Sequence, residues 1–261
     1  MLECFTRRRN FPYLHGVYLA TNVIRDAYLV VDGPNCAFFK TEHVFGAHDL
    51  RSTLLDVTGR HRILHTELNP DRVIGGHDAE FRRVVGRLLA EAKPGAVLVG
   101  ALPMASLTGI DYDGLVDGLD DRGVPLVVLP SRSLDRDWID GFAVTLSRIA
   151  ERIDLAPGPV DPGKVAIVGH FMDRNEGDGR GNVDELRRLV RGVGLDPVSI
   201  WLDGGAWADL ARAGEAGIVV SLPHGRAAAR VLAERTGRPV LSSPRLCIEG
   251  IRRLLDQMDD A

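Results

Sequence analysis

The stretch VVDGPNCAFFK, residues 30–40, carries an apolar run into a tight turn and delivers Cys36 at its far side. Gly33 and Pro34 are suited to close that turn, because proline fixes φ at the second turn position and lacks an amide that a sheet would use. Ligands of α/β sheets usually bind outside the carboxyl ends of the strands. Cys36 at such an end could be a cluster ligand, a nucleophile or a small apolar residue.

Other motifs argue against several kinds of site. Gly177, Gly179 and Gly181 follow the preceding strand too late for a dinucleotide fingerprint, and the sequence contains neither a P-loop nor a G-x-S-x-G turn. His61 and His65 have i, i+4 spacing but lack the glutamate between them that a zinc helix carries. Four further histidines fall at predicted turns near Cys36: His15, His43, His48 and His77.

Composition excludes some classes of partner. The chain has 261 residues and a net charge of −4, so no basic field favours nucleic acid or an anionic membrane. No apolar run approaches the roughly 20 residues of a membrane span, and the first ten residues lack the apolar core of a signal peptide. Cys4, Cys36 and Cys247 are too few and too far apart to indicate a disulfide framework. We therefore expect a cytoplasmic protein, with Cys247 as a buried structural thiol.

The elements that must position these residues alternate regularly. Strands are predicted at residues 27–33, 62–68, 96–102, 124–130, 165–170, 196–202, 217–222 and 238–243. Helices are predicted at residues 78–93, 111–123, 137–154, 182–194, 207–213, 225–237 and 248–258. Such alternation predicts an α/β protein with two doubly wound, Rossmann-like domains and mainly parallel sheets.

A proline- and glycine-rich stretch divides the pattern. Residues 154–164, DLAPGPVDPGK, show no apolar period and are typical of a linker. We predict a first domain over residues 1–155 that carries Cys36, a linker over residues 156–163, and a second domain over residues 164–261.

Several segments together resemble the nitrogenase component 1 family, which includes the protochlorophyllide and chlorin reductases. The similar segments are HGVYLATNVIRDAYLVVDGPNCAFF (15–39), HTELNPDRVIGGHDAEFRRVV (65–85), AVLVGALPMASLTGID (96–111), VPLVVLPSRSLDRDWIDGFAVTLSRIAERI (124–153) and the region from KVAIVGHF to IEGIRRLL (164–255). In that family the cysteine after the glycine–proline turn ligates an iron–sulfur cluster at a subunit interface. The resemblance implies that Cys36 binds a cluster on a turn formed by Gly33 and Pro34.

The chain departs from the family at two of the expected cluster cysteines. Phe11 and Pro103 stand at those positions, and no segment of these 261 residues resembles the family's third domain. A [4Fe–4S] cluster commonly takes four thiolates, so Cys36, with Cys4 as a possible second ligand, could supply only part of the set. A second copy of the chain or a sister nitrogenase-like subunit would supply the others. By resemblance, electrons would come from a separate ATP-dependent iron–sulfur reductase protein.

These observations predict a subunit of a reductase or cofactor-assembly complex that receives electrons through an interface cluster. The alternative is a cluster-free scaffold, or a small-metabolite-binding protein, on the same fold. We also expect an oligomer or an obligate partner, because Trp138, Ile139, Phe142 and Leu146 give one helix more apolar surface than a terminal helix needs.

Overall fold

Four parallel strands form the first sheet of the computed structural model, which describes residues 12–34, 62–119, 123–156, 158–171 and 179–242. They are β1 (Ala27–Asp32), β2 (Ile63–His65), β3 (Ala96–Ala101) and β4 (Leu126–Val128), in the order β2-β1-β3-β4. Strands β1 and β3 pair from Ala27 with Ala96 to Asp32 with Ala101. Their carboxyl ends are therefore level, which places the residues after them side by side.

Helices precede and connect these strands. They are α1 (Tyr13–Val23), α2 (Pro70–Gly75), α3 (Asp78–Glu91), α4 (Pro103–Ser106), α5 (Tyr112–Asp117) and α6 (Trp138–Arg152). Helix α3 buries a stripe of apolar residues at helical spacing, including Phe81, Val85 and Leu88. Asp137 caps α6, because its carboxylate accepts hydrogen bonds from the amides of Ile139 and Asp140.

The second sheet repeats the first in strand order. Its parallel strands are β5 (Asp161–Val168), β6 (Asp196–Ile200), β7 (Ala216–Ser221) and β8 (Val240–Ser242), in the order β6-β5-β7-β8. The helices of this half are α7 (Gly179–Gly192), α8 (Trp207–Ala211) and α9 (Arg226–Thr236). Short 3₁₀ turns over Arg212–Glu215 and Pro223–Gly225 precede β7 and α9. Among these and the earlier helices, none combines the length and the apolar composition that a membrane crossing requires.

One apolar cluster runs from the first sheet through α1 and α6 to the second sheet. Every residue of α1 is buried, including the polar side chains of Thr21 and Asn22. The Thr21 hydroxyl donates to the Val17 carbonyl oxygen at 2.9 Å, which satisfies it inside the helix. Helix α1 is thus an interior element with no solvent face.

Glycines allow α1 and α6 to touch backbone to backbone. A Cβ atom added to Gly16 would lie 1.8 Å from the carbonyl oxygen of Trp138. One added to Gly141 would lie 2.0 Å from the carbonyl oxygen of Tyr13. Neither position has room for a side chain, because the opposing atoms belong to a helix backbone.

Polar contacts also join the two halves. The Trp207 amide donates to the Asp26 carboxylate at 2.7 Å, and the Arg25 amide donates to the Gly205 carbonyl oxygen at 2.8 Å. The guanidinium of Arg235 donates to the carbonyl oxygens of Ala150 and Ile153, at the end of α6. These bonds satisfy backbone groups that the contact between the halves would otherwise leave unpaired.

The predicted fold class, α/β with two parallel, doubly wound sheets, is confirmed. Strand β5 begins at Asp161, inside the predicted linker, and the domain boundaries themselves stay predictions. Sequence periodicity did not predict α1, α2 or α4, and the predicted final helix at residues 248–258 lies outside the described residues. His77 occupies the N-cap position of α3 without a side-chain capping hydrogen bond, and Asp78 is the first helical residue.

The argument for a partner from the apolar face of α6 was wrong. Phe142 and Leu146 are fully buried within this chain. The Trp138 and Phe142 rings pack against Phe171, with centroids 5.2 and 4.7 Å apart. Of the four residues proposed, only Ile139 is substantially exposed. Whether the chain has a partner therefore depends on another surface.

Candidate functional site

The carboxyl edge of the first sheet holds Gly33 and Pro34, where the chain bends directly after β1, and we call these two residues the Gly33–Pro34 turn. Strand β2 lies on one side of β1 and β3 on the other, so the connections after β1 and β3 diverge at this point. Crevices of this kind are the usual ligand sites of open α/β sheets. The Leu68 amide donates to the Gly33 carbonyl oxygen at 3.0 Å, and the Leu102 amide donates to the Asp32 carbonyl oxygen at 2.9 Å. The turn is thereby fixed between the segments that follow β2 and β3.

Gly33 is required here by close packing. A Cβ atom at this position would lie 2.6 Å from Cδ1 of Leu102. A side chain at residue 33 would therefore force the side chain of Leu102, which precedes α4, to move. The glycine therefore lets the chain leave β1 close beside the end of β3.

A buried polar network underlies the turn. The Asp32 carboxylate accepts hydrogen bonds from the Thr66 hydroxyl at 2.5 Å, the His77 Nε2 atom at 2.7 Å and the Tyr112 hydroxyl at 2.5 Å. Asp32 is fully buried, and Thr66 and His77 are almost so. The Gly33 amide donates to the Thr66 hydroxyl oxygen at 3.0 Å, which connects the network to the turn. Buried polar groups are stable only when bonded in this way.

The network retains its donors at physiological pH. Burial, with the hydrogen bond to Asp32 and its charge, raises the pKa of Tyr112 well above its usual range, so the phenol stays protonated and donates. Nδ1 of His77 is buried and has no hydrogen-bond partner among the described residues. Its other ring nitrogen, Nε2, lies within ion-pair distance of the Asp32 carboxylate.

Exposed apolar side chains lie on the segments that leave this edge of the sheet, and we call them the apolar rim. They lie on the segments that follow β2, β3 and β4: Ile74, Met104, Leu107, Leu134 and Ile139. Ile74, Leu107 and Leu134 are each more than four-fifths exposed, at 88%, 84% and 83%. Several large apolar side chains around one edge are typical of a surface that another protein covers.

The structure locates only some of the predicted site residues. Gly33 and Pro34 lie directly after β1, as expected from the sequence. Cys36 and Cys4, the predicted ligands, lie outside the described residues, as do Phe11, His43 and His48. Pro103 begins α4 directly after Leu102, so it lies beside the turn but offers no donor atom for iron.

The residues that bind Asp32 were largely missed. Of the histidines considered, His77 joins the network and His15 is buried in α1. Asp32 itself could be identified from the sequence, because a carboxylate that ends a fully apolar strand must find buried partners. Thr66 and Tyr112 could not, since their pairing with Asp32 depends on the order of the strands in the sheet.

Metal-binding groups are scarce in the described part of the chain. In residues 12–34, 62–119, 123–156, 158–171 and 179–242, no three or more His, Cys, Asp or Glu side chains are grouped to hold an ion. The full chain has three cysteines, fewer than the four thiolates of a common [4Fe–4S] site. The donor set of one chain therefore fits a share of a cluster and not a whole one.

The carboxyl edge of the second sheet carries two further histidines. His170 follows β5, and burial lowers the pKa of its imidazole to about 4. His224 follows β7, and its ring packs against Phe171 with centroids 4.9 Å apart. Burial and, to a lesser degree, the Arg226 charge lower the pKa of His224. Both imidazoles are therefore biased toward the neutral form.

We expect His170 to make the protein sensitive to acid. Its pKa is about 4 in the folded state and about 6.5 unfolded, so the unfolded chain binds the proton first as the pH falls. Between pH 7.5 and pH 5 this should cost about 2 kcal/mol of the free energy of unfolding. In His170→Phe, the free energy of unfolding, measured by urea unfolding at the two pH values, should fall by about 2 kcal/mol less than in wild type. An equal loss in both proteins would assign the acid sensitivity to other groups.

Two parallel, doubly wound sheets with a glycine–proline turn at the first switch point place the protein in the doubly wound α/β class. The chain belongs to the nitrogenase component 1 type oxidoreductase family, whose sequence model matches residues 13–260.

Two curated relatives are light-independent protochlorophyllide reductase subunits B. The protein from Methylobacterium radiotolerans is 28% identical over 194 residues, which cover 71% of this chain and 36% of the relative. That from Methylobacterium sp. (strain 4-46) is 32% identical over 180 residues, which cover 64% of this chain and 33% of the relative. The aligned region spans about a third of each of these relatives.

Solved structures of nitrogenase Cp1 share the fold. The structure at pH 6.5 matches all of this chain and 62% of its own, with a TM-score of 0.79 and 13% identity. The structure at pH 5 matches 96% of this chain and 50% of its own, with a TM-score of 0.73 and 15% identity.

Proposed function

We propose that this chain is a nitrogenase component 1-like subunit of a reductase or cofactor-assembly complex. In this proposal it receives electrons through an iron–sulfur cluster at a subunit interface, held partly by Cys36. The observation that carries the proposal is the Gly33–Pro34 turn, which leaves β1 at the switch point of the first sheet. Cys36 follows this turn by two residues.

The proposed cluster is shared between subunits. Pro103 stands beside the turn where the family's pattern has a cysteine, and the whole chain has only three cysteines. Cys36, with Cys4 as the proposed second ligand, would leave at least two positions of a [4Fe–4S] cluster to another chain. A second copy or a sister nitrogenase-like subunit would provide them.

The apolar rim supports this choice of interface. Its residues follow β2, β3 and β4, and Gly33 and Pro34, which precede Cys36 in the sequence, follow β1 at the same edge of the sheet. A partner that covers the rim would also exclude water from a group bound there. In such an assembly the apolar rim, which includes Ile139 at the start of α6, is the expected contact surface.

The cluster would supply one-electron transfer, and the residues of this chain would position and insulate it. The Thr66 hydroxyl and the Leu68 amide hold Gly33 from one side, and Leu102 packs against it from the other. By family resemblance, the electron donor would be an ATP-dependent iron–sulfur reductase protein. The curated relatives are subunits of a protochlorophyllide reductase, which makes a reductase complex the preferred setting.

A cluster-free scaffold or small-metabolite-binding protein is the second candidate. It is favoured by Pro103 at the edge and by the lack of a metal-binding group among the described residues. Crevices at strand ends also suit small metabolites.

Anaerobic purification with iron and sulfide quantification tests the proposal. We expect a brown protein with iron and acid-labile sulfide, and light scattering that gives more than the mass of one chain, either alone or after addition of a sister subunit. A colourless protein that takes up no iron during anaerobic reconstitution would contradict the cluster and favour the scaffold.

A further inference from the structure

We propose that the aromatic ring of Phe171 closes the ligand crevice of the second sheet, so that this chain holds no small organic molecule there. We call the space at the carboxyl ends of β5 and β7 the second crevice. The inference concerns neither Cys36 nor an iron–sulfur cluster, so it goes beyond the proposed function and can fail independently of it. For a reductase subunit it would mean that an organic substrate is bound by a partner or between the subunits.

Topology alone would make the second crevice a ligand site. Strand β6 lies on one side of β5 and β7 lies on the other, so the connections after β5 and β7 lead away in opposite directions. The space between such diverging connections is where open α/β sheets usually bind their ligands. Whether this chain can use the space depends on what already fills it.

Backbone atoms occupy the base of the second crevice. Gly169 follows β5 with a φ of +96°, and a Cβ atom there would lie 2.2 Å from the amide nitrogen of Gly225. A Cβ atom at Gly225 would lie 2.3 Å from the carbonyl oxygen of Val168. Glycines at such positions can admit a ligand to the backbone, but here the chain itself fills the space beside each glycine. The two connections are therefore in direct contact at the point where they diverge.

Aromatic rings pack together next to this contact. Phe171 follows β5 and His224 follows β7, and their ring centroids are 4.9 Å apart. The Phe171 ring also packs edge to face against two rings of α6, with centroids 4.7 Å from Phe142 and 5.2 Å from Trp138. Three rings from two other segments therefore hold Phe171 in place between the strand ends and α6.

The burial of the neighbouring residues agrees with a closed crevice. His170 directly precedes Phe171 and is only 4% exposed, although it is polar and follows the end of a strand. Polar residues that border an open crevice usually keep contact with solvent. Phe171 is half-buried, whereas Phe142, which it contacts, is fully buried. The Phe171 ring therefore helps to shield the inner part of the aromatic cluster from solvent.

Phe171→Ala tests the inference by removing the ring, and circular dichroism checks that the variant is folded. We expect it to bind indole, a planar apolar probe, about tenfold more tightly than wild type in calorimetric titrations, because an apolar site that loses a ring accepts a small aromatic molecule in its place. Phe171→Leu is the matched control. Leucine keeps most of the apolar volume, so this variant should bind indole as weakly as wild type. Wild type that binds indole as tightly as Phe171→Ala would overturn the inference.

A second readout needs no bound probe. Diethyl pyrocarbonate modifies the neutral imidazoles that it can reach, and mass spectrometry of peptides assigns each modified histidine. In Phe171→Ala, His170 and His224 should be modified severalfold faster than in wild type at pH 7, whereas His77, buried at the edge of the first sheet, should keep its wild-type rate. If Phe171→Ala does not fold, His224→Ala removes the opposing ring and should raise the affinity for indole in the same way.

Unchanged modification rates at His170 and His224 in a folded Phe171→Ala protein would overturn the inference. Because neither readout involves iron or Cys36, that result would leave the proposed function standing.

Discussion

Replacing Cys36 with serine should abolish bound iron in the anaerobically reconstituted protein and leave its fold intact. Iron–sulfur clusters are held by thiolates, and serine offers a hydroxyl that stays protonated at neutral pH. The change is small, because it replaces one sulfur atom with an oxygen atom. Iron and sulfide quantification, with circular dichroism as the test of folding, measures both parts of the prediction.

Two cysteine variants are the controls for this experiment. Cys247→Ser should keep the full iron content, because Cys247 is predicted to be a structural thiol. Cys4→Ser should lower the iron content if Cys4 is the second ligand. Should Cys36→Ser retain as much iron as wild type, Cys36 would be a packing residue and the cluster assignment would fail.

Replacing Gly141 with alanine should destabilise the protein by more than about 3 kcal/mol, beyond the usual range for overpacking. The new methyl group would lie 2.0 Å from the Tyr13 carbonyl oxygen, so α1 and α6 would have to separate. The equivalent change at Gly16 should have a similar effect, because its methyl group would meet the Trp138 carbonyl oxygen. Native stabilities are about 5–15 kcal/mol, so either loss is a large fraction of the total.

Gly86→Ala is the matched control for these variants. Gly86 also lies within a helix, α3, but a Cβ atom there has no heavy atom within 4 Å. Alanine should stabilise α3 by about 0.5–1 kcal/mol, since glycine is a poor helix former. The midpoints of urea unfolding measure all three variants. A Gly141→Ala protein that unfolds at the same urea concentration as wild type would disprove the close contact between α1 and α6.

The strands were predictable because buried parallel strands are continuous apolar runs. The run AVLVGA became β3 over Ala96–Ala101, and the run before Gly33 became β1. Helix α1 was not predictable in the same way. Its sequence, YLHGVYLATNV, has no polar face, and periodicity identifies helices only when one face meets water. Because α1 is buried on all sides, its sequence lacks the helical alternation of apolar and polar residues.

The site was predictable where chemistry is local to the sequence. Gly33 and Pro34 follow one another, and a strand precedes them, so their position at the sheet edge could be inferred. The partners of Asp32 come from residues 34, 45 and 80 positions further along the chain. They meet only because β2 and β3 flank β1 and because α3 and α5 begin at the same edge. A single sequence does not show which elements are neighbours.

Helix α1 limits how this protein could be assembled from modules. It precedes the first sheet in the chain, yet its apolar cluster continues into the second sheet and α9. Part of the apolar core of the second half is therefore formed by residues that a cut at the linker would remove. We infer that neither half is an autonomous folding unit. If the second half were replaced by that of a relative, its core residues would have to be matched to α1 and α6. Joining the two halves at residues 156–163 would not be sufficient.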